Sequence, residues 1–382
     1  AKASLADAFA VPLEDVEEVW HAVAPPYRDL FDWLEGRADR PDPGRALVFR
    51  PMMLAHPIAE ADLAAIDFGT MVVEWKWDGI RVQVAADGTN ARLFSRTGDD
   101  ISAAFPDIVM HAGFDAVLDG ELLVVRDGAV QPFSDLQQRL NRRAVTPRHL
   151  KLHPAHVRLY DCLFVDGEDL RSLPFGERRR RLEAWYESPG RPRPRFDLSP
   201  VIPARDRQQL ADLVSGARAA GHEGLMLKRL DSPYLAGRPK GHWWKWKRDA
   251  LVADCVLMYA QRGSGKRSSL YSDLTFGCWR DEGDGQRLLV SVGKAYSGFT
   301  DAELRQLDRW IRTNTTDRFG PVRAVAPGLV LEVAFDAVQR SSRHKSGLAL
   351  RFPRINRLRW DKPAAEADDV TVLESLVDCA AI

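Results

Sequence analysis

Glu74-Trp75-Lys76-Trp77-Asp78-Gly79-Ile80-Arg81 is the stretch whose reading decides the fold. It sets one lysine at the end of an extended run, between two acids, ahead of a glycine turn and an arginine. Residues 70–73 upstream are strand-type, and Arg81-Val82-Gln83-Val84 downstream alternates polar and apolar with period two. Along a strand Glu74, Lys76 and Asp78 share one face, and Val73, Trp75 and Trp77 the other. The pattern predicts a strand–turn–strand unit with a buried apolar face and a lysine looking into a cleft between carboxylates. A lysine among acids is also a common solvated ion-pair row, so its meaning depends on the rest of the chain.

The chain has 382 residues, too many for one small core, and ordinary globular proportions of 45% hydrophobic and 28% charged residues. Its net charge is zero, so nucleic-acid affinity would have to come from local basic surface. Three regions are expected. Residues 1–45 form a helical segment, with apolar helical spacing in 13–20 and 27–34 and a Pro25-Pro26 break. Residues 46–248 mix strands (71–77, 80–85, 91–95, 116–125, 157–164, 224–228) with helices near 134–141, 175–185 and 207–220, an α+β domain. Residues 249–382 hold short strands (251–260, 273–279, 287–293, 329–338) around a helix at 301–313, which suits a β-barrel of the OB-fold type. The four cysteines, Cys162, Cys255, Cys278 and Cys379, lie far apart with no zinc spacing. With no membrane-length apolar run and no signal-peptide pattern at the start, a reduced cytoplasmic protein is expected.

Further clusters carry chemistry. Ser95-Arg96-Thr97-Gly98 is a polar turn with a cation. In Asp119-Gly120-Glu121-Leu122-Leu123, Glu121 interrupts an apolar strand, which is costly unless the acid meets a cation, a metal or a ligand hydroxyl. His222-Glu223-Gly224-Leu225-Met226-Leu227-Lys228 again sets an acid at the mouth of an apolar strand. In Trp243-Trp244-Lys245-Trp246-Lys247 the two lysines share a face and repel each other unless an anion lies between them. The run Arg178-Arg179-Arg180-Arg181 reads as a solvated helix face.

In order along the chain, these clusters resemble the motifs of the covalent nucleotidyltransferases, the superfamily of ATP-dependent DNA ligases, RNA ligases and mRNA capping enzymes. Lys76-x-Asp78-Gly79-x-Arg81 resembles motif I and Ser95–Gly98 motif Ia. Asp119-Gly120-Glu121 resembles motif III, Tyr160-Asp161-Cys162-Leu163-Phe164 motif IIIa, Glu223–Lys228 motif IV and Lys245-Trp246-Lys247 motif V. Leu350-Arg351-Phe352-Pro353-Arg354 and Arg359-Trp360-Asp361-Lys362 resemble motif VI of the DNA ligases. The resemblance implies an adenylation domain followed by an OB-fold domain. It implies that Lys76 attacks the α-phosphate of ATP and becomes lysyl–AMP. Glu74, Arg81, Arg96, Lys245 and Lys247 would face the nucleotide, Glu121 its ribose or a metal, and Phe164 the adenine. Glu223, with Glu121, would hold Mg²⁺ or Mn²⁺, and Arg359 and Lys362 would orient pyrophosphate. A free lysine is deprotonated in only about one molecule in 10³ at neutral pH, and nearby cations are what make such an amine nucleophilic.

The same resemblance implies a monomer that seals nicked double-stranded DNA in repair or replication. Candidate phosphate contacts are Arg139, Arg142 and Arg143, the loop residues Arg262, Lys266 and Arg267, and Arg340, Arg343, His344 and Lys345. Arg248-Asp249-Ala250 is the expected hinge. The short segment before residue 46 resembles the end of a larger DNA-binding domain, so a fragment of a longer ligase is expected, with a natural two-domain ligase as the alternative. A guanylyltransferase or RNA ligase would be told apart by labelling with GTP rather than ATP. A non-catalytic scaffold would form no adduct at all.

Overall fold

The computed structural model describes residues 1–41, 47–140, 142, 144–189, 193–283, 285–342 and 344–377, apart from the Lys266 side chain. The chain divides into two compact units, Ala1–Arg248 and Asp249–Ile382.

The first unit opens with helices Lys2–Phe9, Leu13–Ala22 and Arg28–Leu34, which bury Ala6, Val16, Val19, Leu30 and Leu34 in a small core of their own. The first of these helices was not expected from the sequence. The segment docks on the rest of the unit through Glu18, 3.0 Å from Arg171, and through His21, whose ring meets Phe49 edge-on.

Two sheets carry the remainder of this unit. A seven-stranded sheet runs in the order Ala91–Ser95, Ile80–Asp87, Asp115–Arg126, Ala155–Val165 and Glu168–Asp169, with Ala129–Val130 and Phe196–Leu198 on side pairings. Its inward residues, among them Val82, Val84, Leu118 and Leu122, pack under helix Phe175–Glu187 and its neighbours. A four-stranded sheet runs His56–Pro57, Trp243–Lys247, Gly224–Arg229, Met71–Lys76. One face of it, with Val73, Leu225 and Leu227, closes on Leu210 and Val214 of helix Arg207–Gly216, and Trp75, Trp244 and Trp246 pack at the margin.

The opposite face is also covered, which corrects the expectation of an open polar row. Glu74 is 1% exposed, with Lys228 at 2.5 Å and Arg179 at 3.2 Å. A carboxylate can lie there only because cations meet it, since a buried charge without a partner is strongly unfavourable. Lys76 escapes this enclosure because it is the last residue of its strand.

The turn after Lys76 passes tightly over the seven-stranded sheet. A Cβ at Gly79 would lie 2.4 Å from the Leu122 carbonyl oxygen, so only glycine fits. That approach lets Ile80 pair with Leu122 and Arg81 with Glu121.

The second unit is a curled antiparallel sheet. Strand Leu251–Arg262 pairs with Tyr271–Gly283 on one side, which continues to Gln286–Ala295. On its other side the first half meets Val330–Phe335 and the second half Val322–Val325. Helix Asp301–Thr313, with a Thr300/Glu303 capping box, sets Leu304, Leu307 and Ile311 into a core shared with Leu257, Phe276 and Phe335. Its limits match the sequence reading. Strands Thr315–Phe319, Leu348–Arg351 and Arg354–Arg359 were missed, because their charged, short runs carry little apolar alternation.

Gly79→Ala is expected to lower stability by about 1–3 kcal/mol or more, as overpacking against rigid backbone does. Gly113→Ala, where an added Cβ meets nothing within 4 Å, should stay within about 0.5 kcal/mol of the parent. Thermal unfolding of the two variants checks this contrast.

Candidate active site

Strand Gly224–Arg229 organises the site. It is antiparallel to both neighbours, so Gly224 stands opposite Lys76 on one side and Lys247 on the other. Backbone bonds extend the pattern by one residue: Glu223 N donates to the Lys76 carbonyl at 2.8 Å, and Arg248 N donates to the Glu223 carbonyl at 3.0 Å. Gly224 adopts φ +139°, and a Cβ there would sit 2.0 Å from the Trp246 carbonyl oxygen. Glycine therefore allows the three strands to close at this end.

At that mouth the Lys76 ammonium donates to Glu223 Oε2, and Lys247 Nζ lies 3.7 Å from the same oxygen. Lys245 lies half-buried two residues back on the Lys247 strand. Its ammonium is pushed below the ordinary lysine range, first by burial and then by Arg238, Lys76, Lys247 and Arg96. Every charged group shifting it is a cation. A cluster of this sign suits a polyphosphate.

Two further acids, Asp119 and Glu121, come from the neighbouring sheet. Glu121 stands opposite Arg81 in register, but Arg81 turns to Asp119, with Nε at 3.1 Å and Nη2 at 2.5 Å. Arg81 also donates to the Met53 carbonyl and, at 3.2 Å, to the Tyr234 hydroxyl, which itself donates to Asp119 at 2.7 Å. The fork is thus committed to protein groups, an addition to its expected role beside the nucleotide. Glu121, partly open to the cleft, has its carboxyl pushed up to about 8. Burial is the main cause; Lys76 opposes the shift and Glu223 adds to it.

Tyr160 shares this corner. Gly120 pairs with Leu159 and Asp119 with Asp161, so Tyr160 is the extra residue of a β-bulge. Its ring lies 5.9 Å from the Arg81 guanidinium and 4.5 Å from Lys228 Nζ, and its hydroxyl is held protonated by burial and by Asp119. Phe164, the expected adenine partner, lies elsewhere: its ring is covered by Arg50 at 4.3 Å and Arg171 at 5.4 Å. Phe164 pairs with Val117, four residues along the strand from Glu121 and beyond a second register shift, and strand alternation alone reveals neither shift. Glu74 is likewise no nucleotide contact, being enclosed by Lys228 and Arg179.

Arg96 is exposed on a turn held by Ser95, Thr97 and Asp99. In the second unit Arg359 and Lys362 converge on Asp254, at 3.3 Å and 2.8 Å, and Arg359 also pairs with Asp361. Of the expected DNA contacts, Arg139 is excluded as a surface group. It is 0% exposed and spends its guanidinium on Asp107 and the Ala104 and His153 carbonyls. Arg142, Arg262 and Arg340 are exposed, and Arg267 is half-buried over Phe299. Arg143, Arg343, Cys379 and the Lys266 side chain lie outside the described residues. Asp119, Tyr234 and Lys228 were given no role in the sequence reading; the first and last sit inside quoted motifs, whereas nothing near Tyr234 signalled it.

A strand-end lysine, cationic partners from the next strand but one of the same sheet, and two carboxylates near them define a nucleotidyl-transfer type of site. A family model described as "ATP dependent DNA ligase domain" matches residues 52–247, and one described as "ATP dependent DNA ligase C terminal region" matches 267–362. The chain belongs to the ATP-dependent DNA ligase family. It is 34% identical to "DNA ligase" of Natronomonas pharaonis over 98% of this chain and 67% of that protein. It is 37% identical to "Probable DNA ligase" of Koribacter versatilis, over 87% of this chain and 61% of the relative, and 34% identical to "DNA ligase 1" of Korarchaeum cryptofilum over 96% and 66%. The chain thus spans about two thirds or less of these relatives' lengths. Among solved structures it is similar in fold to Pmar-Lig_PreS3 (TM-score 0.62, 19% identity, 88% of this chain and 72% of that one). A Lig E DNA ligase matches with TM-score 0.55 and 21% identity, over 82% and 100%. The fold is a nucleotidyltransferase domain followed by an OB-fold domain.

Glu121 supplies a pH test. Its folded carboxyl keeps its proton up to about 8, well above an unfolded carboxyl, so its stabilising contribution is complete below about pH 4 and is lost as pH rises through about 8. The unfolding free energy of the nucleotide-free chain should therefore decline from about pH 4 to about pH 8 and level off above it, relative to Glu121→Gln, which cannot ionise. Parallel denaturant titrations of the two proteins across that range measure the difference.

Proposed function

We propose that this chain is the catalytic part of an ATP-dependent DNA ligase, joining a 3′-hydroxyl to a 5′-phosphate in nicked duplex DNA through lysyl–AMP and a DNA-adenylate. The observation that carries this reading is the lysine at a strand end, held on Glu223 with Lys247 beside the same oxygen. Residues 46–248 act as the adenylation domain and 249–382 as the OB-fold domain. A monomeric state and a cytoplasmic setting belong to the same reading; among the described residues no helix is long and apolar enough to cross a membrane.

In the first step Lys76 Nζ bonds to the α-phosphorus of ATP and gives up a proton. The P–O bond to the β-phosphate breaks, and pyrophosphate leaves with the electron pair. Lys245 and Lys247 offset charge on the non-bridging oxygens, which is the main catalytic task in phosphoryl transfer. Tyr160, rather than Phe164, walls the nucleotide base, and Glu121 meets the ribose. Arg359 and Lys362 orient the leaving pyrophosphate. AMP then passes to the 5′-phosphate, and the 3′-hydroxyl displaces it.

A divalent ion fits the donor set. Burial and then Glu223 raise the Glu121 carboxyl to about 8, and an acid raised beside another acid gains from a cation. Among the described residues no group of three or more His, Cys, Asp or Glu forms a ready cage. One or two carboxylates with substrate phosphates completing the shell is the ordinary arrangement for Mg²⁺. The ion would be held by Glu121 and Glu223 and would supply charge neutralisation on the phosphates.

Incubation with labelled ATP and Mg²⁺ should give a covalent AMP adduct that Lys76→Ala abolishes; an adduct surviving in that variant would refute the assignment. The same mixture should seal a 5′-phosphorylated nicked duplex. Tyr160→Leu is expected to raise the ATP concentration for half-maximal labelling by about tenfold, the worth of roughly one stacked base. Phe164→Leu should change it far less; equal effects would restore Phe164 as the base partner.

A further inference from the structure

Helix Phe175–Glu187 carries four consecutive arginines, and the structure splits them into two pairs. Arg180 and Arg181 lie on the solvent side with Glu177, their side chains 72% and 47% exposed. Arg178 and Arg179 point inward, at 0% and 8%. Successive residues on a helix diverge by about 100°, so the inward neighbours reach different targets.

Arg178 holds Asp161 with Nε and Nη2, both at 2.9 Å, and donates to the Leu173 and Ser232 carbonyls. Asp161 directly follows Tyr160 on the seven-stranded sheet. Arg179 reaches the four-stranded sheet instead. Its Nη1 donates to Glu74 at 3.2 Å and its Nη2 to the Ser199 carbonyl at 2.9 Å, while Nε meets Glu183 at 2.6 Å. Ser199 Oγ in turn accepts from Trp77 Nε1 at 3.1 Å. Residues 74 and 77 bracket Lys76, so both flanks of the lysine are tied to one arginine–serine node. One turn of helix therefore anchors the Lys76 strand and the Tyr160 strand to each other.

We propose that Arg178 and Arg179 are positioning residues for adenylylation, setting the separation between Lys76 and the wall formed by Tyr160. This rests on the proposed ligase reading. Neither arginine touches substrate; each acts through a neighbour of a residue that does. Small displacements of a nucleophile from its line of attack cost rate even when the substrate still binds. Displacing the Lys76 strand should thus slow bond formation and leave ATP affinity largely intact.

The test is single-turnover labelling with ATP over a concentration series, on folded protein below each variant's unfolding temperature. Arg179→Ala is expected to lower the rate at saturating ATP by about 10- to 100-fold, with the half-saturating concentration within about threefold of the parent. Arg179→Lys should recover part of the rate, and Arg180→Ala, on the solvent face, should match the parent. Trp77→Phe keeps a ring but loses the bond to Ser199; it should show a smaller loss of the same kind, and it decides the matter if Arg179→Ala does not fold. Parental rates per folded molecule in Trp77→Phe and in any folded Arg179→Ala would overturn the proposal, as would a loss confined to the half-saturating concentration. A parent chain forming no adduct would instead remove the ligase reading beneath it.

Discussion

The structure of the site depends on one constraint: strand Gly224–Arg229 must hydrogen-bond to two strands at once. Because it runs antiparallel to both, its start meets the end of the Lys76 strand and the end of the Lys247 strand. Glu223, just before it, is thereby delivered between two ammonium groups. No side-chain interaction needs to find this arrangement. Backbone pairing and a residue without a Cβ at 224 impose it, and the charges are then held closer than mutual repulsion among lysines would otherwise allow.

Such a cation-rich mouth is unfavourable in an empty protein. The structure offsets this unevenly. Lys76 and Lys247 share Glu223, whereas Lys245 holds its proton less tightly, first because it is partly buried and then because cations surround it. Glu121 responds in the opposite sense, keeping its proton because burial outweighs the attraction of Lys76. Both shifts come first from burial and second from the charges gathered at the mouth.

Below the mouth, charge is handled differently. Asp119 with Arg81, Asp161 with Arg178, and Glu74 with Lys228 and Arg179 are acid–base groups at or near complete burial. Pairs of this kind contribute little net stability relative to apolar packing, yet removing one partner is severe. Their geometry is directional, and it acts beside an apolar cluster that both sheets share, with Val72 and Trp243 from one and Val117 and Leu163 from the other. A buried ionic lattice is a means of fixing distances there, where leucines would merely fill space.

The sequence by itself determined the strands around Lys76, the amphipathic helix at 301–313, and which short runs carry chemistry, because periodicity and glycine placement are local properties. Lys76, Glu121, Glu223, Lys245 and Lys247 were legible as polar residues set into apolar strands. Tertiary structure alone decided three matters. Glu74 and Arg139 proved to be interior ion partners, since the burial of a charge depends on what packs over it. The inward or outward fate of Arg178 to Arg181 followed from where one helix lies against two sheets. Tyr160 came to lie beside Arg81 and Phe164 under Arg50 and Arg171, with two register shifts in their strand, and such a shift is a property of the pairing between two strands, not of either sequence alone.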